Sequence, residues 1–217
     1  MADAPREAAP PAAPLHRLGR APDPLAWPLW AYVGTGRFDD PAGRFRVLYV
    51  AEQRRAAFAE TLAQFRPSLA VLAAERAVTG ADEPPPPARG VVPLNWLAKR
   101  ATRRLRLGSD QRWLDLRAPE TRAVLRAILA PTLQRLGLPD LDVGAVYGPS
   151  RAFTQVIARW AYEAGYQGLA YGSRHDERFT NWALFEGAVF TPDGLPTPLM
   201  RDDPDLRAVA ALFGLDV

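Results

Sequence analysis

The chain contains no cysteine and only two histidines, His16 and His175, in 217 residues. Without thiols there can be no disulfide, thiolate zinc site, iron–sulfur cluster or cysteine nucleophile. Two imidazoles are too few for a multi-histidine metal centre, although a magnesium or calcium site built from carboxylates stays open. Lysine is nearly missing too, since Lys99 is the lone lysine among 27 basic residues. A net charge of +3 with a pI near 9.6 therefore rests on arginine. No run approaches the ~18 to 20 apolar residues that a membrane helix needs. Arg6 and Glu7 also sit where a secretory signal would require its apolar stretch, so a soluble, cytosolic protein is expected. GxGxxG, GxxxxGK[ST], HExxH and GxSxG are all absent, which excludes the common nucleotide-binding and hydrolase motifs.

What is present is enough apolar material for one core, with 48% hydrophobic and 10% aromatic residues at a length typical of a single domain. Residues 1–14, rich in alanine and proline, read as a loose arm, and residues 15–217 as one domain. Phe45 to Ala51 is a β-branched and aromatic strand, followed by a helix from Glu52 to about Phe65 that ends before Pro67. Residues 68–75 form a short apolar run, either a buried strand or a turn of helix. Pro84 to Pro87 mark a loop with polyproline character. Arg103 to Leu107 and Arg112 to Leu116 read as two half-exposed strands joined by a turn at Gly108 to Asp110. A helix from Pro119 to Leu136 follows, kinked or broken at Pro131. Ser150 should cap a helix that stops at Gly165. Strands are expected through Gly168 to Tyr171 and from Trp182 to Phe190, and a last helix over Asp203 to Phe213, stopped by Gly214. The mixture lacks strict β-α-β repetition, so the fold class is α+β.

Three features can carry chemistry. Arg37, between Gly36 and Phe38, is either a solvated loop arginine or a guanidinium held near a ligand phosphate, where paired hydrogen bonds are strong. Glu60 has Ala56, Ala57, Ala63 and Gln64 as its helical neighbours, so it is either an exposed helix carboxylate or one able to approach a cleft among small side chains. Tyr171 to Asp176 is either a plain polar turn or a place where the Ser173 hydroxyl, Arg174 and His175 face one ligand. Lys99, Arg100, Arg103, Arg104, Arg106, Arg112 and Arg117 raise a separate reading as a nucleic-acid-binding module. Aromatic residues among them are limited to Trp96 and Trp113, which favours an arginine-rich solvated face.

In order along the chain, these segments resemble the RES domain family, named for an arginine, a glutamate and a serine. The matching stretches are His16-Arg17-Leu18, Gly36 to Glu60, Pro93 to Leu107, Arg112 to Leu116, and Thr154 to Glu186. The resemblance implies a mixed sheet core like that of ADP-ribosyltransferases with flanking helices, and the toxin half of a bacterial toxin-antitoxin pair that destroys NAD. It assigns Arg17 and Arg37 as pocket arginines, Tyr49 as the strand tyrosine, Glu60 as the glutamate and Ser173 as the serine. NAD is then a substrate, with no prosthetic group. Two arginines would hold the diphosphate, Tyr49 would stack on a base, Ser173 would bond a ribose hydroxyl, and Glu60 would stabilise the sugar cation or grip its hydroxyls. The acceptor is water, phosphate or a protein side chain, and surplus arginine favours phosphate. The expected partner is an Xre-type helix-turn-helix antitoxin, with nucleic acid reached only through it. No membrane is involved, and a homo-oligomer is compatible with the sequence.

Overall fold

The structure, a computed structural model, describes residues 4–79 and 89–217. The elements in chain order are β1 (Leu15–Arg20), β2 (Val47–Ala51), α1 (Arg54–Leu62), α2 (Leu69–Thr79), β3 (Gly90–Val91) and α3 (Leu94–Leu97). Then come β4 (Arg100–Leu107), β5 (Trp113–Asp115), α4 (Pro119–Arg135), α5 (Val143–Tyr147), α6 (Ala152–Glu163), β6 (Gly168–Gly172), β7 (Thr180–Phe185), β8 (Phe190–Pro198), α7 (Pro204–Phe213) and β9 (Leu215–Asp216). Seven strands form one mixed sheet in the order β5-β6-β7-β2-β1-β4-β8, parallel at β5-β6 and antiparallel elsewhere. This is the α+β class that the residue pattern indicates.

Side-chain alternation assigns the sheet's two faces. Val47, Leu169, Tyr171, Ala183 and Phe185 pack under α4 and α6, while Leu48, Val50, Ala170, Trp182 and Leu184 face a second cluster completed by Leu25 and Trp113. Strands buried on both faces read as nearly unbroken apolar runs, which is why β2, β6 and β7 are legible. A third cluster joins α1 and α7 to Leu18 and Ala51. Arg54 of α1 donates to both Asp203 and Asp205 at the start of α7, and Asp203 caps that helix as its sequence predicts.

Several expectations are corrected. The arm is not loose over residues 6–8: the Ala8 N–H donates to the Trp113 carbonyl at 2.8 Å and the Asp115 N–H to the Arg6 carbonyl at 2.9 Å. β5 is an edge strand, and the arm satisfies the backbone groups that edge would leave open. β4 and β5 are not a hairpin but lie on opposite sides of the sheet, and β5 is buried. The strand expected from Trp182 to Phe190 is two strands, with a turn between β7 and the proline-bearing edge strand β8. The short apolar run belongs to helix α2 from residue 69 on, and Leu69 and Val71 on it are exposed. Arg151, not Ser150, occupies the cap position of α6, without a side-chain cap bond. Helix α4 continues through Pro131 without a break. The Pro84 to Pro87 loop lies outside the described residues.

Neighbouring strands β1 and β2 share a single register pair, His16 with Ala51, whereas β1 and β4 share six. The sheet therefore parts just beyond His16, at Arg17. A cavity of about 530 Å³ opens there, within the usual size range of small-molecule sites.

Candidate active site

Arg17 spans the gap between β1 and β2. Its Nε donates to the Pro24 carbonyl at 2.6 Å and its Nη1 to the Tyr49 carbonyl at 2.7 Å, so the side chain supplies one bond to β2 in place of the ladder and ties it to the segment at Pro24. Burial lowers the guanidinium to about 10, which leaves it cationic at neutral pH.

Arg37 reaches the cavity from the loop that precedes β2. Three anchors shape this loop. Asp39 accepts the N–H groups of Gly34 and Gly36, the Gln155 amide donates to the carbonyls of the same two residues, and the Thr154 hydroxyl donates to the Arg37 carbonyl. The Arg37 Nη1 donates to the carbonyls of Val146 and Gly148. Burial, and then the charge of Arg174, lower its pKa. The Tyr49 hydroxyl locks the same loop by donating to Asp39 at 2.8 Å and accepting the Phe38 N–H at 2.9 Å. Burial and the nearby Asp39 charge raise that phenol well above its ordinary value, so it stays a donor.

Glu60 projects from α1 toward the end of β6. Its Oε1 accepts from the Ser173 hydroxyl at 2.7 Å and from the Asn181 amide at 2.8 Å, while Oε2 lies 3.8 Å from the His175 Nε2. Ser173 also accepts the His175 N–H, so its hydroxyl helps set both the turn and the carboxylate while one acceptor position stays open. His175 packs on Phe213 and its pKa is lowered, chiefly by burial, against the opposing pull of Glu60. Gly172 leaves room beside this turn for Tyr147, whose hydroxyl a Cβ there would meet at 2.5 Å and displace.

All five residues marked by sequence thus converge: Arg17, Arg37, Tyr49 and Glu60 line the cavity, and Ser173 holds Glu60 from its rim. Sequence reading missed Arg151, Tyr147 and Asn181, and left Arg174 undecided in a polar turn. Arg151 and Arg174 line the mouth and have no carboxylate partner among the described residues. Four guanidinium groups and one carboxylate therefore face one cavity, a charge balance suited to a ligand that is anionic overall and carries a local cation. Among the described residues, no cluster of histidine, aspartate and glutamate could hold a metal ion.

Five of the seven cations suggested as a nucleic-acid surface are paired with carboxylates. Arg104 and Arg106 pair with Asp193, Arg103 with Asp23, Arg112 with Glu7 and Arg117 with Asp115. No helix among the described residues is long and apolar enough to cross a membrane.

The sequence model of the RES domain matches residues 14–208. The fold is similar to that in the crystal structure of the M. tuberculosis MbcT-MbcA toxin-antitoxin complex, with a TM-score of 0.56 at 15% identity, covering 95% of this chain and 91% of that one. No curated protein matches the chain.

Proposed function

From the premise that the chain belongs to the RES domain family, we propose that it cleaves the bond between nicotinamide and ribose in NAD. The observation that carries this reading is a single carboxylate, Glu60, held at one oxygen by Ser173 and Asn181 inside a cavity otherwise charged by arginine. NAD has the matching charges, a diphosphate and a pyridinium at the scissile bond. Arg17 and Arg37 take the diphosphate, which fixes the distance from it to the reacting carbon.

Bond cleavage sends the electron pair of the C1′–N bond to the ring nitrogen. The pyridinium leaves as neutral nicotinamide and needs no proton, which suits a site whose one histidine is kept mainly neutral by burial. Positive charge spreads over C1′ and the ring oxygen, as in glycoside cleavage, and Glu60 stabilises it from a fixed position. The acceptor then bonds to C1′ through oxygen. Water gives ADP-ribose after losing a proton, and phosphate gives the corresponding sugar phosphate. The two unpaired arginines at the mouth favour phosphate, so phosphorolysis is the preferred form and hydrolysis the second. Transfer to a protein side chain uses the same cation and is distinguished by where the ADP-ribosyl group ends up.

Incubation with NAD, with and without phosphate, followed by product identification tests the reading. Nicotinamide release with a phosphorylated sugar product is expected when phosphate is present. NAD that stays intact under both conditions would refute it.

Unrestrained NAD loss would harm a host cell, and this chain's fold occurs in a toxin-antitoxin complex. A cytoplasmic toxin role follows, with an Xre-type helix-turn-helix antitoxin as the partner that covers the cavity. Expression of the chain alone should arrest growth, and co-expression of an Xre-type antitoxin encoded beside it should relieve the arrest; arrest that persists would contradict the pairing.

A further inference from the structure

Asn181 is out of place as a structural residue. It lies inside β7, paired with Ala51 on one side and Tyr171 on the other, and is 1% exposed. The next four residues, Trp182 to Phe185, are all buried and apolar. Asparagine is a poor strand former, and here its Oδ1 is buried with no hydrogen-bond partner among the described residues. An orphaned acceptor costs stability that an apolar side chain of similar size would not.

The other half of the amide explains its presence. Nδ2 donates to the Glu60 Oε1 at 2.8 Å, beside the Ser173 hydroxyl at 2.7 Å. Turning the amide over would place Oδ1 against a carboxylate oxygen, so chemistry fixes the orientation. Both donors converge on one oxygen of Glu60.

We propose that Asn181 is the positioning residue that, with Ser173, anchors Oε1 of Glu60 and thereby presents Oε2 to the reacting sugar carbon. The inference rests on the reading of Glu60 as the group that stabilises the sugar cation. The fold tolerates an unsatisfied buried acceptor in return for a carboxylate that does not have to reorganise as charge develops.

Two variants of the full chain, measured for thermal midpoint and NAD turnover beside the wild type, test this. Asn181→Leu removes both the donor and the orphan, so its midpoint should equal or exceed the wild-type value while kcat falls by about 10- to 100-fold at nearly constant KM. Asn181→Asp keeps the shape but sets a second carboxylate against Oε1. Two ionised carboxylates at that distance repel and displace Glu60, so activity lost at neutral pH should partly return as pH is lowered and the pair takes up a shared proton, whereas no such gain is expected of the wild type. Wild-type kcat in Asn181→Leu would overturn the proposal. So would loss of stability and activity together in both variants without acid recovery, because that is the pattern of a structural role. A wild-type protein that leaves NAD intact would instead remove the reading of Glu60 itself.

Discussion

His175 and His16 are the chain's two histidines, and burial is the first cause that lowers the pKa of each below the ordinary 6.5. The unfolded chain takes up protons near 6.5, whereas the folded chain does so only at lower pH. Between those points the unfolded state holds more protons, so the histidines' contribution is complete above about 6.5 and is lost as pH falls through that window. Asp40, Asp203 and Glu186 have their pKa values lowered from 3.8 or 4.5, so the stability they contribute fails only in stronger acid. Thermal midpoints between pH 7.5 and 5 should therefore fall in the wild type and fall less in a His16→Gln, His175→Gln double variant. Equal falls in the two proteins would show that the histidines are not responsible. At this scale the site was partly legible. Glu60 stands out because three of its four helical neighbours are alanine, while Asn181 does not, because nothing in its local pattern tells a core asparagine from one aimed at a carboxylate on helix α1.

At the scale of elements, the loop from Gly34 to Phe38 shows how a short irregular segment can be fixed as firmly as a strand. A Cβ on Gly36 would lie 2.5 Å from both the Asp39 carboxylate and the Tyr49 hydroxyl, and hydrogen bonds hold both groups in place. Gly36→Ala must therefore loosen the clamp that aims Arg37. Overpacking of this kind costs about 1–3 kcal/mol. The expected outcome is a lower thermal midpoint and a raised KM for NAD with a smaller change in kcat; an unchanged KM would contradict the role given to the loop. The same scale explains what sequence could not deliver. Period-two patterns identify β4 and β5 as strands, but pairing is a long-range property, and a turn signal at Gly108 to Asp110 wrongly made them neighbours. Prolines in β8 argue against a strand by local rules, and are accommodated because β8 is an edge. The arm's proline-rich composition hides its use as a cover for the open edge of β5.

For the molecule as a whole, the decisive feature is the parting of β1 from β2. A continuous ladder there would leave no room for a ligand at the centre of the sheet. Instead Arg17 bridges the gap, α1 brings Glu60 from one side, and the β6–β7 turn brings Ser173 and His175 from the other. The individual segments announce themselves in the sequence, but their convergence depends on strand order, which only the fold supplies. Many of the arginines that make the chain basic pair with surface carboxylates, while Arg17, Arg37, Arg151 and Arg174 line the cavity and concentrate positive charge there. The proposed function rests on Glu60 stabilising by its charge the sugar cation that forms as nicotinamide departs. Nicotinamide release by the wild type and by Glu60→Gln, an isosteric change that keeps an acceptor for Ser173 and Asn181, measures this directly. A folded variant whose kcat drops by about 10²–10³-fold with little change in KM is predicted; a folded variant that releases nicotinamide at the wild-type rate would contradict it.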